Sequence, residues 1–232
     1  MSSCDTCVVR NRAICAALDS SEIGALNTIG RTRVLEPGES LIWEGDDSVL
    51  VANVSDGVLK LSTGTEDGRE QIVGMVFASD FIGRPFGKTT GHGVTALTEA
   101  KVCVFNRRDF DSFAREHPAL EHKLLQRTRT ELDRTRRWML LLGRKSASEK
   151  VASFLLEMCE RAAGSPCEEG EAPADVRLDL PVSRQQIADV LGLTIETVSR
   201  QFTRLKADGI IDLPSRREVH IRDRFALAAE AG

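Results

Sequence analysis

The chain has 232 residues, enough for two domains that each bury a core. Its net charge of −4 argues against a general nucleic-acid coat protein, but the charge is unevenly placed. From Lys123 to Lys150 nine cationic side chains face three acids, whereas from Glu157 to Asp179 seven acids face two arginines. No apolar run approaches the length of a membrane span, and Met-Ser-Ser-Cys-Asp-Thr-Cys at the start lacks the hydrophobic stretch of a secretory signal. The expectation is a cytoplasmic protein whose six cysteines are reduced and are read first as metal or redox ligands.

Residues 1–18 hold Cys4, Cys7 and Cys15 in a C-x2-C-x7-C array within a short polar and basic segment. Asp19-Ser-Ser-Glu22 then predicts a capping box and a short helix through about Thr28. From Arg33 to about Phe105 the texture turns to seven short β-rich runs: Arg33–Leu35, Ser40–Trp43, Leu50–Ser55, Val58–Ser62, Glu70–Val76, Val94–Thr98 and Lys101–Phe105. Turn signals such as Pro37-Gly38, Asp56-Gly57 and Asp67-Gly68 separate them, which predicts an antiparallel barrel or roll. Asp80–Phe86 interrupts the runs and is expected to cross the mouth of the roll as a short helical turn. Arg107–Glu116 predicts a helix ending before His117-Pro118 and closes a sensor domain over 19–118.

The longest periodic segment follows, over 119–143. Leu125, Leu132 and Met139 recur at heptad spacing, Leu142 adds a second row, and Thr128 and Thr135 fall between. This seam predicts a subunit interface, against the plainer alternative that it packs only on its own roll. Ser146-Ala-Ser-Glu149 opens a further helix to about Ala163, with Val151, Phe154, Leu155 and Met158 on one side. Gly164–Ala174 reads as a polar, flexible loop.

Within 144–232 lies Val182–Lys206. Ser183 and Gln186 read as a capping box, and Ile187, Val190 and Leu191 give the first helix one apolar face. Gly192 supplies a tight turn, and Thr194 caps a second helix with an apolar stripe of Ile195, Val198, Phe202 and Leu205. That is a helix-turn-helix, whose second helix enters the DNA major groove. Glu196, Thr197, Ser199, Arg200 and Arg204 lie off the stripe; arginine can donate two hydrogen bonds to guanine, and glutamate can accept from cytosine. Ile210–Leu213 and Glu218–Ile221 flank Pro214-Ser-Arg-Arg217, a β-hairpin wing with a basic tip. An ordinary two-helix packing unit with a solvated face is the alternative, and the wing weighs against it. A dimer is expected, because DNA half-sites lie one turn apart.

A glycine-punctuated roll, a long helix and a winged helix-turn-helix together resemble the CRP/FNR family of bacterial transcription regulators across essentially the whole chain. The FNR branch is matched by Gly68-Arg-Glu-Gln-Ile-Val-Gly74, by Asp80-Phe-Ile-Gly83 and by Leu191-Gly-Leu-Thr-Ile-Glu-Thr-Val-Ser-Arg200. The resemblance implies an α+β fold: an N-terminal antiparallel roll of the cyclic-nucleotide-binding kind, a dimerisation helix and a C-terminal winged helix-turn-helix. It implies DNA-binding regulation and no enzyme activity, with double-stranded palindromic DNA, a second copy and RNA polymerase as partners. In FNR-like proteins a Glu-x-x-Ser-Arg pattern reads a TTGAT half-site, and it falls here on Glu196, Ser199 and Arg200. Arg184, Thr194, Thr197, Arg204, Arg216 and Arg217 are the expected backbone contacts. Ile195 stands where the cAMP-responsive branch carries arginine. That branch also needs a Glu and an Arg within the roll, whereas here Arg84-Pro85 follow Gly83 and the loop up to Val94 has no arginine, so a cyclic nucleotide is not expected.

FNR-like oxygen sensors hold a [4Fe–4S] cluster with three N-terminal cysteines and one from the roll. Cys4, Cys7, Cys15 and Cys103 match that set, with the longer second gap of the alphaproteobacterial FnrL/FnrN/FixK type. Cys159 is expected to be a core thiol and Cys167 a surface one. A zinc site has the same ligand set, although zinc sites usually pair two C-x2-C knuckles. Nitric oxide, heme or a thiol switch as the signal also stay open. A dithiol redox enzyme would need its pair after a strand and at a helix start, and no strand precedes Cys4.

Overall fold

The computed structural model describes residues 4, 7–64, 66, 68, 70–163 and 176–232. They divide into two compact units, Met1–Asp133 and Arg134–Gly232.

In the first unit the glycine-punctuated runs become two four-stranded antiparallel sheets. One has the order β1 (Gly30–Leu35), β8 (Ala100–Asn106), β3 (Leu50–Asp56), β6 (Phe81–Gly83); the other β2 (Ser40–Ile42), β7 (Gly93–Ala96), β4 (Leu59–Gly64), β5 (Glu70–Val76). Alternation along the strands sends Ala52, Val54, Leu59, Ile82, Val94 and Val102 into the roll interior. Gly57, at φ +81, makes the turn between β3 and β4, and a Cβ there would fall 2.3 Å from the Glu99 carbonyl oxygen.

Asp80–Phe86 corrects the sequence expectation. Its first half is strand β6, paired with β3 through Val51↔Gly83, Ala52↔Ile82 and Asn53↔Phe81. Ile82 joins the roll interior and Phe81 the opposite face, a two-sided division that a strand satisfies and a helical turn does not.

That opposite face of the β1-β8-β3-β6 sheet is covered by helices. Asp19 accepts from the Glu22 N–H while Glu22 accepts from the Asp19 N–H, the foreseen capping box at the start of α1 (Ser20–Ile29). Asn106 caps α2 (Arg107–Glu116), and α3 (Pro118–Arg144) begins on a proline, whose missing N–H suits a first helical position. Ile23, Leu26, Val51, Phe105, Phe110 and Leu120 form this second core, in which Phe110 lies 5.3 Å from Phe81 and 5.5 Å from Phe105, ring to ring.

In the second unit, Ser146 and Glu149 exchange capping bonds ahead of α4 (Ala147–Ala163). Val151, Phe154, Leu155 and Met158 are buried along it, and so is Cys159. Helices α5 (Arg184–Leu191) and α6 (Ile195–Ala207) follow, then β10 (Ile211–Asp212) and β11 (Glu218–Ile221). Two elements had no counterpart in the sequence reading: β9 (Val176–Asp179), which pairs with β11 and makes the wing three-stranded, and α7 (Arg224–Ala231), capped by Asp223. The Gly164–Ala174 loop and Cys167 lie outside the described residues.

Candidate cysteine site and nucleic-acid interface

The N-terminal segment carries its own anchors. Val9, Ala13, Ile14 and Leu18 are buried, and a 3-10 turn at Ile14–Ala17 brings Cys15 against the second core. Cys4 donates its thiol proton to Asn27 Oδ1 of α1 at 3.2 Å. Cys103 comes from the middle of β8, between Thr32 on β1 and Asn53 on β3, and packs against the same core. Beside it the absence of a side chain at Gly30 lets its neighbours close in: a Cβ there would lie 3.4 Å from Cys103 Sγ and 2.6 Å from the Phe105 ring.

The four sulfurs sense one another. Burial pushes the Cys15 thiol up to about 11, and like-charge repulsion from Cys4 and Cys7 adds to it. Burial likewise pushes Cys103 up to about 12, with repulsion from Cys4, Cys15 and Cys7. Deprotonating these thiols together is therefore unfavourable in the metal-free protein. No two described cysteines form a disulfide. Nor do any three described His, Cys, Asp or Glu side chains converge tightly enough to hold a single metal ion.

The helix-turn-helix is built as its local sequence dictates. Ser183 and Gln186 form the capping box of α5, and Gly192 ends that helix in the left-handed region at φ +61. Thr194 caps α6 by accepting from the Thr197 N–H at 3.3 Å. Val198, Phe202 and Leu205 are buried, but Ile195 is 37% exposed and belongs to the outer face, a correction to the expected stripe. Glu196, Ser199 and Arg200 stand exposed together at the N-terminal end of α6. Its own N–H and the Thr194 hydroxyl hold the Glu196 carboxyl below the usual range, so it presents an acceptor.

Three expected backbone contacts are otherwise engaged. The Arg184 guanidinium lies 3.2 Å from the centre of the Phe202 ring, its Nη1 buried without a partner, and burial lowers its pKa to about 10. It is a packing group here and not an outward phosphate ligand. Arg204 pairs with Asp208 at 3.4 Å and with Glu230 of α7. The Thr194 hydroxyl is shared among the Thr197 N–H, the Thr197 hydroxyl and the Glu196 carboxyl. Arg216 and Arg217 are exposed at the wing tip, which Ser215 shapes by accepting from the Arg217 and Glu218 N–H groups.

Residues 149–230 match the Crp-like helix-turn-helix domain, and residues 32–117 match the cyclic nucleotide-binding domain. The transcriptional activator protein FnrL of Cereibacter sphaeroides is 44% identical over 229 residues, covering 99% of this chain and 92% of that protein. The chain belongs to the CRP/FNR family of transcription regulators. The nitrogen fixation regulation protein FixK of Bradyrhizobium diazoefficiens is 39% identical, over 90% of this chain and 85% of its own. The solved structure of FixK2 from Bradyrhizobium japonicum superposes with a TM-score of 0.78 at 31% identity, covering 88% of this chain and 98% of that one.

This CRP/FNR protein is thus a DNA-binding regulator of FNR/FixK type and not an enzyme. No described helix is long and apolar enough to cross a membrane. On α3 the side chains of Leu125, Leu132, Met139 and Leu142 are all exposed, Met139 by 69%, and exposed Leu140 adjoins them. The roll has a cavity of about 610 Å³ whose lining includes Ile82, Arg84, His92, Leu124 and Arg127. Arg127 reaches Asp80 at 3.9 Å and donates to the carbonyl of Arg12, between Cys7 and Cys15.

Proposed function

We propose that this CRP/FNR regulator responds to oxygen, and is active as a homodimer that holds one [4Fe–4S] cluster per chain and reads a TTGAT-N4-ATCAA-like palindrome. The observation that carries the reading is the position of Cys103. Remote in sequence, it stands on the sheet face where the segment bearing Cys4, Cys7 and Cys15 packs, near enough for all four thiolates to repel. The donors are soft thiolates, which suit iron–sulfur chemistry. When bound, a cubane supplies iron to neutralise the thiolates, through bonds that oxygen degrades.

The chain's own residues supply the rest. Val9, Ala13, Ile14 and Leu18 seat the cysteine segment, and Phe81, Phe105 and Phe110 keep its floor dry. Leu120 and Leu124 of α3 pack in the same core, and Arg127 ties the segment's backbone to that helix. Order in the cysteine segment therefore bears on the helix that carries the exposed seam. On DNA, Arg200 donates to guanine, Glu196 accepts from cytosine and Ser199 bonds the neighbouring edge, while Arg216 and Arg217 meet phosphates. The activator relatives extend the reading to RNA polymerase as a partner.

Anaerobic purification with iron and sulfide analysis tests this. A straw-brown protein with about four irons and four sulfides per chain is expected. A colourless protein holding one zinc, or a red one holding heme, contradicts it.

A further inference from the structure

One buried polar group beside the cysteine site has no structural explanation. Asn53 is 3% exposed, and its Oδ1 is buried with no hydrogen-bond partner. Orphaned polar atoms in a core carry a free-energy penalty, so each one needs a reason. Val51, two residues earlier on the same face of the strand, is apolar and buried at no such penalty.

Register says what Asn53 faces. It is the cross-strand partner of Cys103 on β8 and of Phe81 on β6, so Thr32, Cys103, Asn53 and Phe81 make one row across the sheet. Cys103 and Phe81 belong to the second core, outside the roll, and alternation puts Asn53 on that side with Val51. Directly opposed residues in an antiparallel pair hold their Cβ atoms about 5 Å apart. On the other flank Phe81 offers only a ring. Cys103, directly opposite on β8, is therefore the sulfur-bearing residue of that row, and it makes no hydrogen bond to Asn53 Oδ1 in this structure.

We infer that Asn53 is a positioning residue for the iron–sulfur site, its side-chain amide donating an N–H to the Cys103 sulfur once that sulfur is a thiolate ligand. The inference rests on the cluster reading above. An amide's two ends exchange by a half-turn about a soft torsion, so the orphaned end can present either oxygen or NH2. In this structure the oxygen is the orphaned end; beside a metal-bound thiolate the NH2 end is favoured. Hydrogen bonds to cluster sulfurs stabilise the electron-rich state and raise the reduction potential. Asn53 then makes the site harder to oxidise and slows its loss in air.

The test compares full-length wild type, Asn53→Leu and Asn53→Thr after anaerobic reconstitution. Asn53→Leu keeps the γ-branched arrangement of four heavy atoms and removes the amide; Asn53→Thr keeps a shorter donor and covers the case in which leucine does not fold. Equal iron and sulfide content is expected in all three. In Asn53→Leu the potential moves to more negative values, the Fe–S(Cys) Raman bands shift and air bleaching is several-fold faster, with partial restoration in Asn53→Thr. In cluster-free protein Asn53→Leu unfolds at higher urea than wild type, because an orphan has been removed. An unchanged potential and unchanged Raman bands in the loaded variants overturn the proposal while the cluster stands. A wild type that takes up no iron and sulfide overturns the cluster reading and the proposal together.

Discussion

Gly30 is the residue at which one added side chain reports on the cysteine site. A Cβ there meets the Phe105 ring at 2.6 Å and Cys103 Sγ at 3.4 Å, and neither neighbour can retreat into a filled core. Gly30→Val should destabilise the cluster-free protein by about 1–3 kcal/mol through overpacking and reduce iron uptake. Urea denaturation and iron analysis check it; full iron loading at wild-type stability would remove Gly30 from the site. The thiols make a second prediction. With Cys15 near 11 and Cys103 near 12, both stay protonated when an ordinary thiol, around pH 8.5, has begun to ionise. Cluster-free protein should therefore alkylate slowly at these two positions until the pH approaches those values. Mass spectrometry of labelled peptides decides it, and rapid labelling of Cys103 near pH 8.5 would show the thiol to be open to water. At the DNA face, Arg200→Ala should weaken binding by about 1–3 kcal/mol and blunt discrimination at one base of each half-site. Loss of affinity that is equal for every sequence would instead make Arg200 a phosphate contact. The exposure of Glu196, Ser199 and Arg200 was legible because an exposed helix face is a local pattern. Arg184 and Arg204 were not, because Phe202 and Glu230 compete for them only once the chain has folded.

At the scale of elements, α3 shows how far a periodic pattern reaches. Its heptad spacing gave nearly the observed bounds, Pro118–Arg144 against 119–143, and all four seam residues emerge exposed. A helix of this length with bare leucines and a methionine on one side leaves apolar surface that a second copy can cover. The cationic excess from Lys123 to Lys150 opposes that pairing, so dimerisation should strengthen as salt screens the repulsion. Sedimentation across a salt series tests this, with Leu132→Glu expected to yield monomers; a dimer indifferent to that substitution would take the seam out of the interface. Short elements were less legible. Strand β6 is three residues long, and its apolar pair Phe81-Ile82 fits either period until the sheet supplies two faces to fill. Strand β9 alternates over only four residues after a polar loop, and α7 had Asp223 as a cap signal that the preceding wing strand overshadowed.

For the whole molecule, the central claim is that the cysteine site controls whether two chains pair and bind DNA. A bound group can bias that equilibrium only through its different affinity for the two states, so the seam must be marginal without it. Threonines among its leucines and the surrounding arginines supply that marginality. The family and fold were legible because glycine turns, capping boxes and the α6 motif are local and survive into the structure. The gathering of Cys103 with the N-terminal cysteines was not local: only the β8 register and the burial of Ile14 and Leu18 bring it about. The most direct measurement is sedimentation with DNA binding on a TTGAT-N4-ATCAA duplex, for wild type and Cys103→Ser, each prepared without oxygen and again after exposure to air. The account predicts a tightly binding dimer only for anaerobic wild type, and weakly binding monomers for the aerated protein and for Cys103→Ser in either gas. Aerated wild type, stripped of iron, that still dimerises and binds the duplex as tightly as the anaerobic form would contradict it.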